Sequence, residues 1–64
     1  MINIFNEYHF IVTICDMIEN DRIARKYIIK SDKDYGAWSQ CIAQALRDLK
    51  GHESLYKIEL IEVE

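Results

Sequence analysis

Apolar residues are concentrated in two stretches near the start of the chain, and this pattern predicts two β-strands. Residues 8–15 and 23–29 are rich in β-branched and aromatic side chains, which are favoured in strands. Between them, Asn20 and Asp21 tolerate the backbone angles of a tight turn. We therefore predict a β-hairpin in which Asn20 and Asp21 form a two-residue loop.

That loop fixes which residues of the hairpin lie opposite each other. Ile14 would face Tyr27, and Asp16 would face Arg25, so the pairs would be apolar or of opposite charge. One side of the hairpin would then be apolar and covered by the rest of the chain. Its members would be Tyr8, Phe10, Val12, Ile14, Ile18, Ile23, Tyr27 and Ile29.

A helix is predicted over residues 35–50, where apolar residues recur at helical spacing. Ser31 and Asp34 precede it as candidate N-terminal caps, and Gly51 follows it as a candidate C-terminal cap. The predicted apolar stripe consists of Tyr35, Trp38, Ile42, Ala45, Leu46 and Leu49.

A third strand is predicted over residues 56–63, where Tyr56, Ile58 and Leu60 alternate with charged residues. The helix would return the chain along the sheet, so this strand most simply pairs with the free edge of the first one. The predicted fold class is α+β, with the order β-β-α-β. We expect a three-stranded antiparallel sheet of strand order 2-1-3, with one helix packed on one face, in a single domain spanning residues 1–64.

Length and composition limit what such a domain can do alone. The chain has 64 residues, of which 50% are hydrophobic, so it is too apolar to remain disordered. A core in a domain this small rarely supplies more than about 3–5 kcal/mol, and a partner subunit is one source of further burial. Two cysteines are too few for a disulfide scaffold, and the N-terminus lacks the cationic region of a signal peptide. We expect a cytoplasmic protein without a membrane segment.

The residues capable of chemistry do not form a recognisable catalytic or metal-binding pattern. Neither His9 nor His52 has a cysteine, aspartate or histidine at metal-ligand spacing. Cys15 and Cys41 are predicted to be small buried residues, and Cys41 has no histidine near it in the helix pattern that could activate it. We therefore expect no enzymatic activity, no cofactor and no metal.

The second face of the sheet is the predicted binding surface, because a single helix can cover only one side. Exposed apolar patches often mark interaction sites, and pairing two such sheets would bury this one. We expect a protein partner, and a homodimer in particular. The predicted partner-binding residues are Ile11, Met17, Ile28, Ile61 and Val63.

Nucleic-acid binding is the alternative, through the cations Arg22, Lys26 and Lys30 of the second strand. The net charge of −3 argues against it, because phosphate contacts supply most non-specific affinity. The predicted open face also lacks the aromatic platforms on which bases stack. Nucleic acid is therefore not the expected partner. An accessory subunit of a larger enzyme is a second alternative.

The order strand, strand, helix, strand in a short acidic chain resembles small bacteriophage inhibitor proteins, such as the inhibitors of uracil-DNA glycosylase. Residues 8–13, with Val12 and Thr13, look like the first strand of that family. The resemblance implies a dimeric, phage-encoded inhibitor of a host or defence protein, acting in the host cytoplasm. Members of that family mimic DNA with acidic and aromatic groups, whereas the acidic residues here are scattered, so no family site residue is carried over.

Overall fold

Three strands and one helix form in the predicted order in a computed structural model, which describes residues 5–64. The elements are β1 (Asn6–Asp16), β2 (Asp21–Ser31), α1 (Asp34–Asp48) and β3 (Tyr56–Val63). Both outer strands pair antiparallel with β1, which gives a three-stranded sheet of order β2-β1-β3. The predicted fold class and strand order are confirmed.

The hairpin loop is longer than predicted. Asp16 lies opposite Asp21 and Ile14 opposite Ile23, so the loop comprises residues 17–20 and the predicted register is wrong. The Asp16 carboxylate accepts hydrogen bonds from the backbone N–H groups of Ile18 and Glu19 at 3.0 and 3.1 Å. This Asx-type turn provides hydrogen-bond acceptors for backbone N–H groups of the longer loop.

Asn20 does adopt the left-handed backbone conformation that its residue type favours, with a φ of 58°. It is the last residue of the loop rather than the first residue of a two-residue turn. The partner of Ile14 therefore moves from Tyr27 to Ile23. Because this displacement is an even number of residues, each side chain of β1 and β2 keeps its predicted face.

The core lies between the sheet and α1, and it contains the side chains predicted for the helix-facing side of the strand centres. Phe10 and Val12 are fully buried, and Ile14 and Ile29 are each 2% exposed. The loop end of the predicted face is not buried, because Ile18 lies in the loop at 71% exposure and Ile23 is 43% exposed. The hydrophobic core is therefore short, and it is concentrated where the helix crosses the hairpin.

A β-bulge in β3 reverses the faces of its second half. Ile58 lies opposite Ile14, but Leu60 lies opposite Thr13, so Glu59 is an additional residue in this strand. Residues before the bulge keep the predicted faces, whereas those after it exchange them. Leu60 consequently lies on the open face rather than in the core, and Ile61 packs against the core.

The helix packs on the sheet through smaller side chains than the stripe predicted. Ala37, Cys41 and Ala45 are fully buried, and their four-residue spacing forms a narrow ridge that lets the helix approach the strands closely. Trp38 lies beside this ridge with its ring edge against Phe10, at a centroid distance of 4.9 Å. Leu49 of the predicted stripe also belongs to the core, whereas its other large members, Tyr35, Ile42 and Leu46, lie exposed on one flank of the helix.

Tyrosines of the sheet tether both ends of α1. The Tyr8 hydroxyl donates to Asp34 at 2.6 Å, and the Tyr27 hydroxyl donates to Asp48. The predicted capping role of Asp34 is wrong: the N-cap residue is Lys33, which has no side-chain cap. The Ser31 hydroxyl instead bonds the backbone of Lys33.

Candidate binding surfaces

An apolar line crosses the uncovered face of the sheet diagonally, and we call it the open-face strip. It consists of Ile28 on β2, Ile11 on β1 and Leu60 on β3. The strand partners of Ile11 are Lys26 and Glu62, so Ile28 and Leu60 are its diagonal neighbours, within reach of long side chains. Ile28 is 54% exposed and Leu60 48% exposed.

Ion pairs border the open-face strip and connect the two outer strands over β1. Arg22 donates two hydrogen bonds to the Glu59 carboxylate, at 3.1 and 3.0 Å, and these bonds lower the pKa of Glu59. Lys26 donates to Glu64 at 3.0 Å. An apolar centre with a polar border is the usual composition of a protein-binding patch.

The structure brings together only part of the predicted partner-binding set. Ile11 and Ile28 share the open face, and Met17 lies in the hairpin loop, 43% exposed. The placement of Ile61 and Val63 on the open face is wrong, because they follow the bulge and lie opposite Val12 and Phe10 on the helix side.

Leu60 is the open-face residue that the sequence reasoning missed. The signal for it was the pair of adjacent apolar residues Leu60 and Ile61, which breaks the alternation of β3. A break of this kind is a sign of a bulge, because an inserted residue shifts the alternation of the strand by one position.

A second apolar surface lies along one side of α1, and we call it the helix flank. Tyr35 is 69% exposed, Ile42 40% and Leu46 55%, so their predicted burial in the core is wrong. Together with Ser39 they recur with alternating spacings of four and three residues, which is the repeat of a helix–helix seam. This exposure shows that no element among residues 5–64 covers the helix flank.

The cations proposed for nucleic-acid binding are partly neutralised. Arg22 and Lys26 are bonded to Glu59 and Glu64 as described, and Lys30 lies opposite Glu7 on β1. Each of the three cations on this face therefore has a glutamate as its ion-pair partner or as its neighbour on the adjacent strand. The resulting field is mixed in sign, which is a poor match to a phosphate backbone.

The described part of the chain shows no constellation for catalysis or metal binding. Cys15 and Cys41 are free and buried, and burial raises the pKa of the Cys41 thiol, which disfavours the reactive thiolate. His9 is bonded to Glu7. Over residues 5–64 no three potential ligands gather around a metal position, and no helix there has the length and apolarity to cross a bilayer.

Comparison with known proteins does not assign a family or a function to this chain. The chain has no significant match to a family model, a curated protein or a solved structure. The surfaces themselves are therefore the basis for any functional proposal.

Proposed function

We propose that this protein is a non-enzymatic protein-binding module that acts as a homodimer. The observation that carries the proposal is that exposed apolar surfaces lie on both sides of one three-stranded sheet, the open-face strip on one side and the helix flank on the other. Isolated exposed apolar residues are ordinary. Two ordered rows of exposed apolar residues are unusual in so small a domain. Burying either row against a partner would add stability that the thin core does not supply.

The helix flank is the surface assigned to the second copy. Its seam-like spacing suits packing against another helix, and a two-fold axis would place the same residues on both sides of the contact. The open-face strip then stays available in each copy for a different protein. A dimer would present two such strips.

The dimer is tested by light scattering on the purified chain, with Leu46→Glu as the disrupting variant. A charge at this large apolar residue of the flank should convert the dimer to a monomer, since an unpaired buried charge is strongly unfavourable. Gln44→Glu is the matched control, because Gln44 is exposed on the same helix, outside the flank. A wild-type chain that is monomeric at micromolar concentrations would rule the dimer out.

The open-face strip is tested by affinity capture from bacterial lysate, followed by binding assays with each captured protein in purified form. Ile28→Asp should abolish binding of the physiological partner and leave the dimer intact. Ile18→Asp is the control, because it introduces the same charge at an exposed isoleucine outside the strip. Equal binding by both variants would show that the strip is not the interface.

The narrower proposal is an inhibitor of phage type, acting on a host or defence protein. It is supported by chain length, acidity and element order, and by the absence of a catalytic constellation in residues 5–64. Its test is the activity of the captured partner, which should fall when the wild-type chain is added and should not fall with Ile28→Asp.

A further inference from the structure

The sheet extends beyond the end of the helix, and this leaves a cleft at the loop end of the hairpin. A helix of 15 residues is about 22 Å long, whereas strands of 11 residues extend about 36 Å. Because α1 starts beside the end of β2 and runs back along it, the helix ends near Arg25. The cleft beyond it has a volume of about 270 Å³.

The cleft combines apolar side chains with three polar ones, since Arg25, Asp48 and His52 also line it. Ile14 and Leu49 form its floor and are 2% and 9% exposed, while Ile23 on β2 is 43% exposed at its wall. Tyr56, at the start of β3, closes the opposite side. The volume is close to the lower end of the range for ligand pockets, roughly 300–1,000 Å³. A single large side chain fits such a space better than an extended molecule does.

One side of the cleft opening carries a cation that is only loosely paired. The Arg25 guanidinium is 4.0 Å from the nearest oxygen of Asp48, and the Arg25 side chain is 56% exposed. That distance is too long for a hydrogen bond. The same Asp48 oxygen already accepts the Tyr27 hydroxyl. The planar donors of Arg25 are therefore available to a carboxylate, which they can bind in a bidentate manner.

We propose that this cleft is an anchor site for a partner protein, which inserts an aromatic side chain and places an adjacent carboxylate on Arg25. Buried aromatic anchors in pockets supply most of the affinity in protein interfaces, and the apolar floor provides such a pocket. The proposal rests on the proposed protein-binding function for the nature of the partner. The site itself is separate from the open-face strip and the helix flank, so it can be tested without either.

Arg25 also has a competing structural role. It lies beside the C-terminal end of α1, where a positive charge interacts favourably with the helix dipole. If that were its whole purpose, substitution would lower stability and leave ligand binding unchanged. A binding measurement is therefore required in addition to a melting temperature.

The test is an NMR titration of the full chain with phenylacetate, phenylacetamide and acetate. Phenylacetate should shift the amide resonances of cleft residues such as Ile23 and Tyr56. Phenylacetamide should bind about tenfold more weakly because it lacks the carboxylate, and acetate should cause no saturable shift there. The spectrum reports at the same time whether each variant is folded.

Two variants complete the test. Arg25→Gln should reduce phenylacetate affinity about tenfold, to the level of the amide, and should weaken binding of the captured partner. Lys26→Gln is the control, since Lys26 is the next residue but lies on the open face; it should retain phenylacetate binding. Equal affinity for acid and amide, shifts outside the cleft, or an Arg25→Gln variant with unchanged affinity would each overturn the site. Normal partner binding by Arg25→Gln would overturn its assignment to a protein partner, while leaving the proposed function intact.

Discussion

Removing one methyl group from each of two neighbouring residues on β2 tests which face of the sheet is the core. Ile29 is 2% exposed and Ile28 is 54% exposed, although they are adjacent in sequence. Ile29→Val removes a methyl group that is fully surrounded, and such a change costs about 0.5–1.5 kcal/mol. Ile28→Val removes one that is largely in water, and its effect should be within about 0.5 kcal/mol.

These magnitudes are large relative to the stability expected of this chain, roughly 3–5 kcal/mol. A loss of 1 kcal/mol lowers the melting temperature of a domain of this size by about 4–8 °C. We therefore expect a decrease of that order for Ile29→Val and little change for Ile28→Val. The assay is thermal and urea unfolding followed by circular dichroism, with protein concentration held constant because a dimer's stability depends on it. Equal effects, or a larger effect from Ile28→Val, would show that the assignment of the two faces is wrong.

Three further predictions concern the helix and its contacts. A Cβ added at Gly36 would lie 3.0 Å from the Ser31 hydroxyl oxygen, so Gly36→Ala should be nearly neutral in the wild-type chain. In a Ser31→Ala background, where that oxygen is absent, the higher helix propensity of alanine should stabilise the fold by about 0.5–1 kcal/mol. Equal effects on the unfolding free energy in both backgrounds would contradict the contact. Burial and then the hydrogen bond to Asp48 raise the pKa of Tyr27 above its ordinary value of 10.0. The stability this group contributes is complete below pH 10.0 and is lost as the pH rises through the higher folded value, so Tyr27→Phe should reduce the loss of stability in a base titration. Cys41 is fully buried, so its thiol should react with a disulfide reagent only at the rate of unfolding, and rapid labelling of the native chain would contradict its position.

The sheet faces of β1 and β2 could be predicted even though their register could not. Alternation alone places Phe10, Val12 and Ile29 on one side, and any even displacement of the hairpin preserves that result. The loop length depended on Asp16, whose carboxylate accepts two backbone hydrogen bonds. Asn and Asp are compatible with several turn types, so the composition of the loop does not determine its length.

The candidate surfaces were predicted less completely, because they depend on local irregularities. The bulge at Glu59 places its two neighbours, Ile58 and Leu60, on opposite faces of the sheet, and the bidentate contact from Arg22 holds Glu59 over the open side. Leu60 thereby replaced Ile61 and Val63 on the open face. A pattern of period two cannot anticipate an inserted residue, although the adjacent apolar pair was a sign of it.

The sequence by itself determined the elements, their order, the strand pairing and the composition of each face of β1 and β2, because these follow from periodicity and from the short connections between elements. Only the tertiary structure decided which side of α1 is buried. Helical spacing was compatible with either the large or the small residues facing the sheet, and close approach of the helix to β2 selected Ala37, Cys41 and Ala45. That choice, together with a helix too short to reach the hairpin loop, left Ile42 and Leu46 on the flank and opened the cleft beside Arg25.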